Sequence, residues 1–235
     1  MAIKAAIFDV FGTVVDWRSG VAAEVAKACA AKGIEHDAEA FADDWRAEYD
    51  PAMARIRDGA RGYVPLDDLH RENLDRVLAA RGLDDAFADD ERAALNHAWE
   101  KLPPWPEAVE GLRSISRLMP IAPCSNGSIA LMTALKRFGG LPWDCILGAE
   151  IARDYKPSAA VYLAACAALR LAPENVVMVA AHNSDLAAAR DTGLATAFIP
   201  RPDEKGPGLG ESEATSDWTI VAGDLVDLAA KLAKG

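Results

Sequence analysis

Apolar residues along this chain follow two rhythms. From Ile3 to Val10 the run Ile-Lys-Ala-Ala-Ile-Phe-Asp-Val is nearly continuous and ends just before Gly12, which is how a short strand buried on both faces reads. Similar runs recur at Ile121 to Cys124, Asp144 to Leu147, Val176 to Ala181 and Ala195 to Ile199. Between them, apolar positions repeat with helical spacing over Ala108 to Leu118, Ile129 to Phe138, Ala159 to Leu169 and Ser184 to Thr192. This alternation predicts an α/β fold with a doubly wound parallel sheet and right-handed crossovers.

The stretch from Trp17 to about Lys101 departs from that alternation. Helical periodicity runs through Val21 to Ala31, Ala38 to Tyr49, Leu66 to Arg81 and Asp90 to Trp99, with no buried strand among them. An all-helical cap domain over residues 17–101 is predicted, inserted into a core made of residues 1–16 and 102–235. Its place after the first strand sets it over the carboxyl ends of the strands, where open α/β sheets bind ligands. Pro200 to Ser216, rich in Pro, Gly and acidic residues, is predicted as a surface loop, and Asp224 to Ala233 as a terminal helix.

Charge narrows the partners. With 25 Lys and Arg against 36 Asp and Glu, the 235 residues carry a formal charge of −11, a field that repels nucleic-acid backbones and anionic membranes. No apolar run approaches the roughly 20 residues of a membrane span, and the opening MAIKAAIFDVFG does not read as a signal peptide. A cytoplasmic protein is expected. The four cysteines, at 29, 124, 145 and 166, show neither CxxC nor metal-ligand spacing, so reduced thiols and no structural zinc are expected.

Candidate chemistry gathers where strands end. Asp9 closes the first strand ahead of Val10-Phe11-Gly12-Thr13, a position suited to a nucleophile and equally to a turn-capping carboxylate. The second strand runs into Cys124-Ser125-Asn126-Gly127-Ser128, hydroxyls that serve either an anion site or a helix cap. Lys156 stands just before Pro157, and the run from Val176 ends in His182-Asn183-Ser184-Asp185. Four polar clusters at successive strand ends, in this order, point to one crevice.

This series, Asp9-Val10-Phe11-Gly12-Thr13, Ser125-Asn126-Gly127, Lys156-Pro157 and the loop ending at Asp185, resembles the four motifs of the haloacid dehalogenase superfamily, whose core is Rossmann-like. Within it the chain resembles the type II (L-)2-haloacid dehalogenase branch. Superfamily phosphatases carry a second aspartate two positions after the nucleophile, because an alkoxide leaving group needs a general acid; here that position is Phe11. Halides other than fluoride leave without protonation. The phosphatases' magnesium site also needs several oxygen ligands, and this chain offers only Asp185 near the fourth motif. The resemblance therefore implies hydrolytic dehalogenation with neither metal nor other cofactor.

The resemblance further implies roles. Asp9 attacks C2 of a short 2-haloalkanoate, and water then hydrolyses the Asp9 ester, taking an L-2-haloacid to a D-2-hydroxy acid and halide. Lys156 keeps Asp9 ionised and Thr13 hydrogen-bonds it. Ser125 and the backbone N–H groups near Val10 and Phe11 receive the substrate carboxylate. Arg46, which follows Trp45 as in the family's cap, and Asn126 stabilise the halide. Phe11, Trp45 and Tyr49 exclude water, and Tyr162 lies near the active site. A homodimer is the implied assembly.

One departure matters: aligned on Asp185, the family's usual serine and asparagine become Ala180 and His182. His182 is expected to activate the hydrolytic water, oriented by Asp185 or by an acid near the cap such as Glu24; alternatively Asn183 takes the asparagine's role. Histidine here also suggests fluoroacetate as a substrate. The competing readings are a phosphatase of the same superfamily acting on a small phosphometabolite, and a catalytically silent module on the same scaffold.

Overall fold

A computed structural model of the protein describes residues 2–234. In chain order its strands are β1 (Ala5–Phe8), β2 (Ile121–Ser125), β3 (Leu147–Gly148), β4 (Val176–Ala180), β5 (Ala195–Phe198) and β6 (Ile220–Val221). Five α-helices fall in the inserted stretch that follows β1: α1 (Trp17–Ala31), α2 (Ala38–Ala47), α3 (Tyr49–Arg57), α4 (Leu66–Ala80) and α5 (Asp89–Asn96). After them come α6 (Ala108–Ser116), α7 (Ile129–Gly139), α8 (Ala149–Ala152), α9 (Ala159–Leu169), α10 (Asn183–Asp191) and α11 (Leu225–Leu232).

All strand pairs are parallel and the sheet order is β3-β2-β1-β4-β5-β6. The chain therefore reverses direction across the sheet between β1 and β4. The crevice beyond the carboxyl ends of those two strands is the binding position in an open α/β sheet, and Asp9 and His182 emerge side by side there.

Alternation within the strands explains their unbroken hydrophobicity. Ala6 and Phe8 of β1 and Val177 and Val179 of β4 pack with α6, α7 and α11 through Leu112, Leu131 and Leu228. Their neighbours Ile7, Val176 and Met178 face the other way, onto Val161 and Cys166 of α9 and Leu186 of α10. A strand with helices on both faces has no polar side to show. Capping sets the helix starts: Asp16 accepts a hydrogen bond from Ser19 N–H at α1, Asp37 from Ala40 N–H at α2, and Ser128 from Leu131 N–H at α7, each at 3.0 Å.

The inserted helices pack on a cluster of aromatic rings. Trp45, Trp99 and His70 are almost wholly buried, His70 stacking on Trp99 at 4.1 Å and Trp45 meeting Trp99 edge-on at 5.6 Å. Phe11, from the turn after β1, inserts its ring edge-on to Trp99 at 5.7 Å. The core thus delivers one residue of its nucleophile turn into the helical insertion.

Several boundaries differ from the sequence-based expectations. The helix expected over Ala38 to Tyr49 is two helices, because the chain turns at Glu48 and restarts in α3, with Pro51 in the first turn where its missing N–H costs nothing. The strand expected from Asp144 shrinks to Leu147–Gly148: Asp144 instead accepts from Ile121 N–H at 2.8 Å, holding the start of β2. The segment after Pro200 has no helix or strand before β6, as a loop should, yet Arg201 and Glu204 within it are buried.

Candidate active site

The Asp9 carboxylate is held from two sides. Lys156 donates from Nζ to Oδ1 at 2.8 Å, and Thr13 donates from Oγ1 to Oδ2 at 2.7 Å. The Thr13 oxygen accepts in turn from Ala181 N–H at 2.9 Å, tying the nucleophile turn to the end of β4. Lys156 also donates to Asp185 Oδ2 at 2.5 Å, and Tyr162 donates to Asp185 Oδ1 at 2.5 Å. Burial alone would raise the Asp9 pKa, but the Lys156 charge and the His182 hydrogen bond and charge outweigh it, so Asp9 stays ionised. Burial likewise opposes the Lys156 ammonium, and Asp185 and Asp9 together hold its pKa well above the usual lysine range.

His182 occupies the other flank. Its Nδ1 lies 3.2 Å from Asp9 Oδ2 and its Nε2 lies 2.8 Å from Glu204 Oε2. Both ring nitrogens face carboxylate oxygens, an arrangement that only the doubly protonated ring satisfies. Burial works against the charged ring, yet Asp9 and Glu204 raise the His182 pKa to about 10. Glu204 is 1% exposed and accepts a second bond from Trp17 Nε1 at 2.9 Å. Gly12 makes room for it: the backbone there has φ +86°, and any Cβ would run into the Glu204 carboxylate.

These groups open onto a cavity of about 390 Å³. Asp9, Lys156, His182, Asp185 and Glu204 line its floor, and Phe11, Arg46, Tyr49 and Asn126 its sides. The Arg46 guanidinium lies 3.8 Å from the Tyr49 ring centroid and 5.6 Å from that of Trp17, so two aromatic faces hold it. Asn126 Oδ1 accepts from Lys156 N–H at 2.8 Å, which leaves the amide nitrogen as the donor for the cavity. The N–H groups of Val10 and Phe11 have no backbone acceptor among the described residues. An ionised carboxylate, fixed donors and an aromatic wall make a site for displacement by oxygen on a small anion.

Comparison with known proteins places this arrangement. The sequence profile described as haloacid dehalogenase-like hydrolase matches residues 3–193. The chain belongs to the haloacid dehalogenase-like hydrolases. Among solved members of that family, the crystal structure of a defluorinating L-2-haloacid dehalogenase superposes with a TM-score of 0.95 at 48% identity, covering 98% of this chain and 95% of that one. A second L-2-haloacid dehalogenase structure gives 0.95 at 41% identity, covering the whole of both chains. A curated (S)-2-haloacid dehalogenase from Xanthobacter autotrophicus is 28% identical over 85% of this chain and 76% of its own length.

Within this family's framework, the structure moves some residues from their expected places. Asn183, expected among the catalytic groups, faces away from Asp9: its Nδ2 donates to Glu211 and to Glu213 O at 3.0 Å, and its Oδ1 accepts from Thr215 N–H at 2.9 Å and Trp218 Nε1 at 2.8 Å. That role is structural, because a buried amide with four partners has none left for water. Tyr162, expected near the active site, is there but fully buried: its hydroxyl donates to Asp185 and it does not line the cavity. Ser125 is also fully buried, its Oγ accepting from Gly127 N–H at 3.1 Å, with Asn126 rather than Ser125 on the cavity wall. Glu24 does not orient His182: it pairs with Lys101 at 2.6 Å. Asp185 does not orient it either, being engaged by Lys156 and Tyr162.

The residue that does face His182, Glu204, was hidden in a segment read as a surface loop. Only its contacts reveal it, since acidic residues in a Pro/Gly-rich stretch are ordinarily solvated. Arg201, from the same loop, donates to Thr13 O at 3.0 Å and pairs with Glu107 at 2.6 Å. It thus braces the nucleophile turn from outside. Gly12, in the motif that follows β1, is the sequence signal of this close neighbour.

Proposed function

We propose that this protein hydrolyses short 2-haloalkanoic acids, converting L-2-haloacids to D-2-hydroxy acids and halide through an ester at Asp9. The observation that carries this reading is an ionised, immobilised Asp9 facing a small cavity in which Phe11 occupies the phosphatases' general-acid position. The similar proteins named as L-2-haloacid dehalogenases support it. The phosphatase alternative has no acid at that position, which is Phe11.

In the first step an Asp9 oxygen bonds to C2 as the carbon–halogen bond breaks and the halide leaves with its electron pair. The substrate carboxylate takes the Val10 and Phe11 N–H groups, while Arg46 and the Asn126 amide receive the halide. In the second step water adds to Cγ of Asp9, the bond from Cγ to the product oxygen breaks, and the hydroxy acid departs. Inversion occurs once, because water never touches C2.

His182 links the two steps through charge. In the resting enzyme it is an imidazolium between two carboxylates, a strong donor suited even to departing fluoride. Esterification removes the Asp9 charge, so His182 loses one of the two partners that raise its pKa and releases its proton to solvent. The neutral ring then takes the proton of the attacking water and passes it to the leaving oxygen. The new Asp9 carboxyl reprotonates His182, and one proton is released for each halide. Glu204 acts as the positioning residue, holding Nε2 so that Nδ1 faces the reaction.

Halide release from fluoroacetate, chloroacetate and each 2-chloropropionate enantiomer, assayed in EDTA, tests the reading. Release from the L enantiomer and the two acetates is expected, with oxygen from labelled water entering Asp9 before the product during a single turnover. Phosphate release from p-nitrophenyl phosphate with no halide release would overturn the assignment. A cytoplasmic homodimer belongs to the same proposal, the dimer following the oligomeric habit implied by the family. Light scattering after size exclusion checks the dimer. Among the described residues no helix is long and apolar enough to cross a membrane.

A further inference from the structure

A second cavity, of about 370 Å³, adjoins the reaction cavity and is lined by Trp17, Asp43, Arg46, Ala47, Asp50 and Lys205. Arg46, Asp50 and Lys205 line both, so the two chambers meet at these three charged side chains. Their environments differ. Asp43 is neutralised by Arg18 at 2.7 Å, whereas among the described residues Lys205 has no carboxylate within ion-pair distance. Lys205 is exposed at its tip, yet its backbone is fixed. Glu204 beside it is clamped by His182 and Trp17, and Gly206 N–H bonds Asp203 O at 3.1 Å.

We propose that the outer chamber is the antechamber through which the anionic substrate reaches Asp9, and that Lys205 captures its carboxylate there before Arg46 draws it inward. This rests on the dehalogenase reading only for the identity of the anion. The physical need is clear from charge: a chain of net −11 repels a monoanion at long range, so some local cation must reverse the field at the mouth. Asp50, on the wall of both chambers, opposes that capture, so the two residues act on the substrate with opposite sign.

The size of the effect follows from Coulomb's law. A unit charge about 6 Å from a monoanion in water changes its local concentration about threefold, and reversing that charge changes it about tenfold. For L-2-chloropropionate at low ionic strength, Lys205→Gln should therefore lower kcat/KM about threefold and Lys205→Glu about tenfold. Asp50→Asn should raise it two- to threefold. In each variant kcat should change less than twofold, and added sodium sulfate should shrink the differences among the three. Ala47→Trp, which fills the outer chamber from an exposed helix position that does not line the reaction cavity, should lower kcat/KM at every ionic strength. A kcat/KM within 1.5-fold of wild type for both Lys205→Glu and Ala47→Trp would overturn the proposal, as would an effect of Lys205→Glu unchanged by salt. A wild-type enzyme that releases no halide from any haloacid would instead overturn the functional reading. Lys205→Gln, at an exposed site, keeps the test open should the charge reversal disturb the loop.

Discussion

Asp9 is gripped on one flank by Lys156 and on the other by His182, and the two flanks are built on different physics. The Lys156 flank is a closed set: the ammonium sits between Asp9 and Asp185, and Tyr162 holds Asp185. Burial opposes the ammonium, and Asp185 and Asp9 hold its pKa well above the usual lysine range. The His182 flank is adjustable, because an imidazole raised to about 10 by two carboxylates falls once one of them is esterified. In the cycle proposed above, Lys156 is the fixed partner of Asp9 and His182 is the group that switches from donor to base.

The largest effect should come from the permanent flank. Lys156→Met leaves Asp9 and Asp185 buried together without a cation, and should lower kcat at least about a thousandfold while costing about 3 kcal/mol or more of stability. Urea denaturation and initial-rate assays measure the two. Retention of more than a tenth of wild-type kcat would show that His182 alone suffices to ionise Asp9.

Next comes the switching flank. His182→Asn should lower kcat by about 10² to 10⁴ through loss of the base, with the Asp9 ester accumulating as a covalent mass increase on the denatured protein. A turnover-competent variant free of that adduct would return water activation to another group.

Glu204→Gln keeps the bond from Trp17 and removes a charge, and should lower kcat about tenfold, the effect of one charged hydrogen bond of roughly 1.5 kcal/mol. Its stability cost should depend on pH. A His182 pKa raised from 6.5 to about 10 contributes stability that is full below pH 6.5 and lost as pH rises through about 10. Glu204, lowered from 4.5, contributes above that value and loses its contribution as pH falls below it. The variant should thus be most destabilised relative to wild type between about pH 4.5 and 6.5 and least near pH 10. Thermal melts at pH 6 and pH 10 make the comparison, and an equal cost at both would remove the imidazolium from the resting site. The smallest effect on activity belongs to Asn183→Ala, which should melt at lower temperature because Glu211 and Trp218 lose a partner while kcat stays within threefold.

Much of this site was legible before any coordinates. Asp9 and the loop to Asp185 follow apolar runs whose order matches a doubly wound sheet, Lys156 is marked by Pro157 after it, and Phe11 marks the chemistry by being aromatic where an acid would sit. Residues local in sequence to a strand end inherit their position from the strand. Ser125 and Asn183 turn from the cavity for one common reason: a polar side chain near a strand end has two directions to face, and here the buried one supplies its hydrogen-bond partners. The α2 to α3 break was also illegible as periodicity, because both helices present the same apolar stripe across Glu48.

What the sequence determined by itself is the alternation of buried strands and amphipathic helices, and with it the family, the nucleophile and its lysine, because these follow from patterns that repeat within a few residues. What only the tertiary structure decided is the second flank. Glu204 meets His182 22 residues away and Trp17 187 residues away. No spacing rule links such positions, and the contact exists because the parallel sheet sets β1 beside β4 and the loop after β5 folds back over the turn at Gly12.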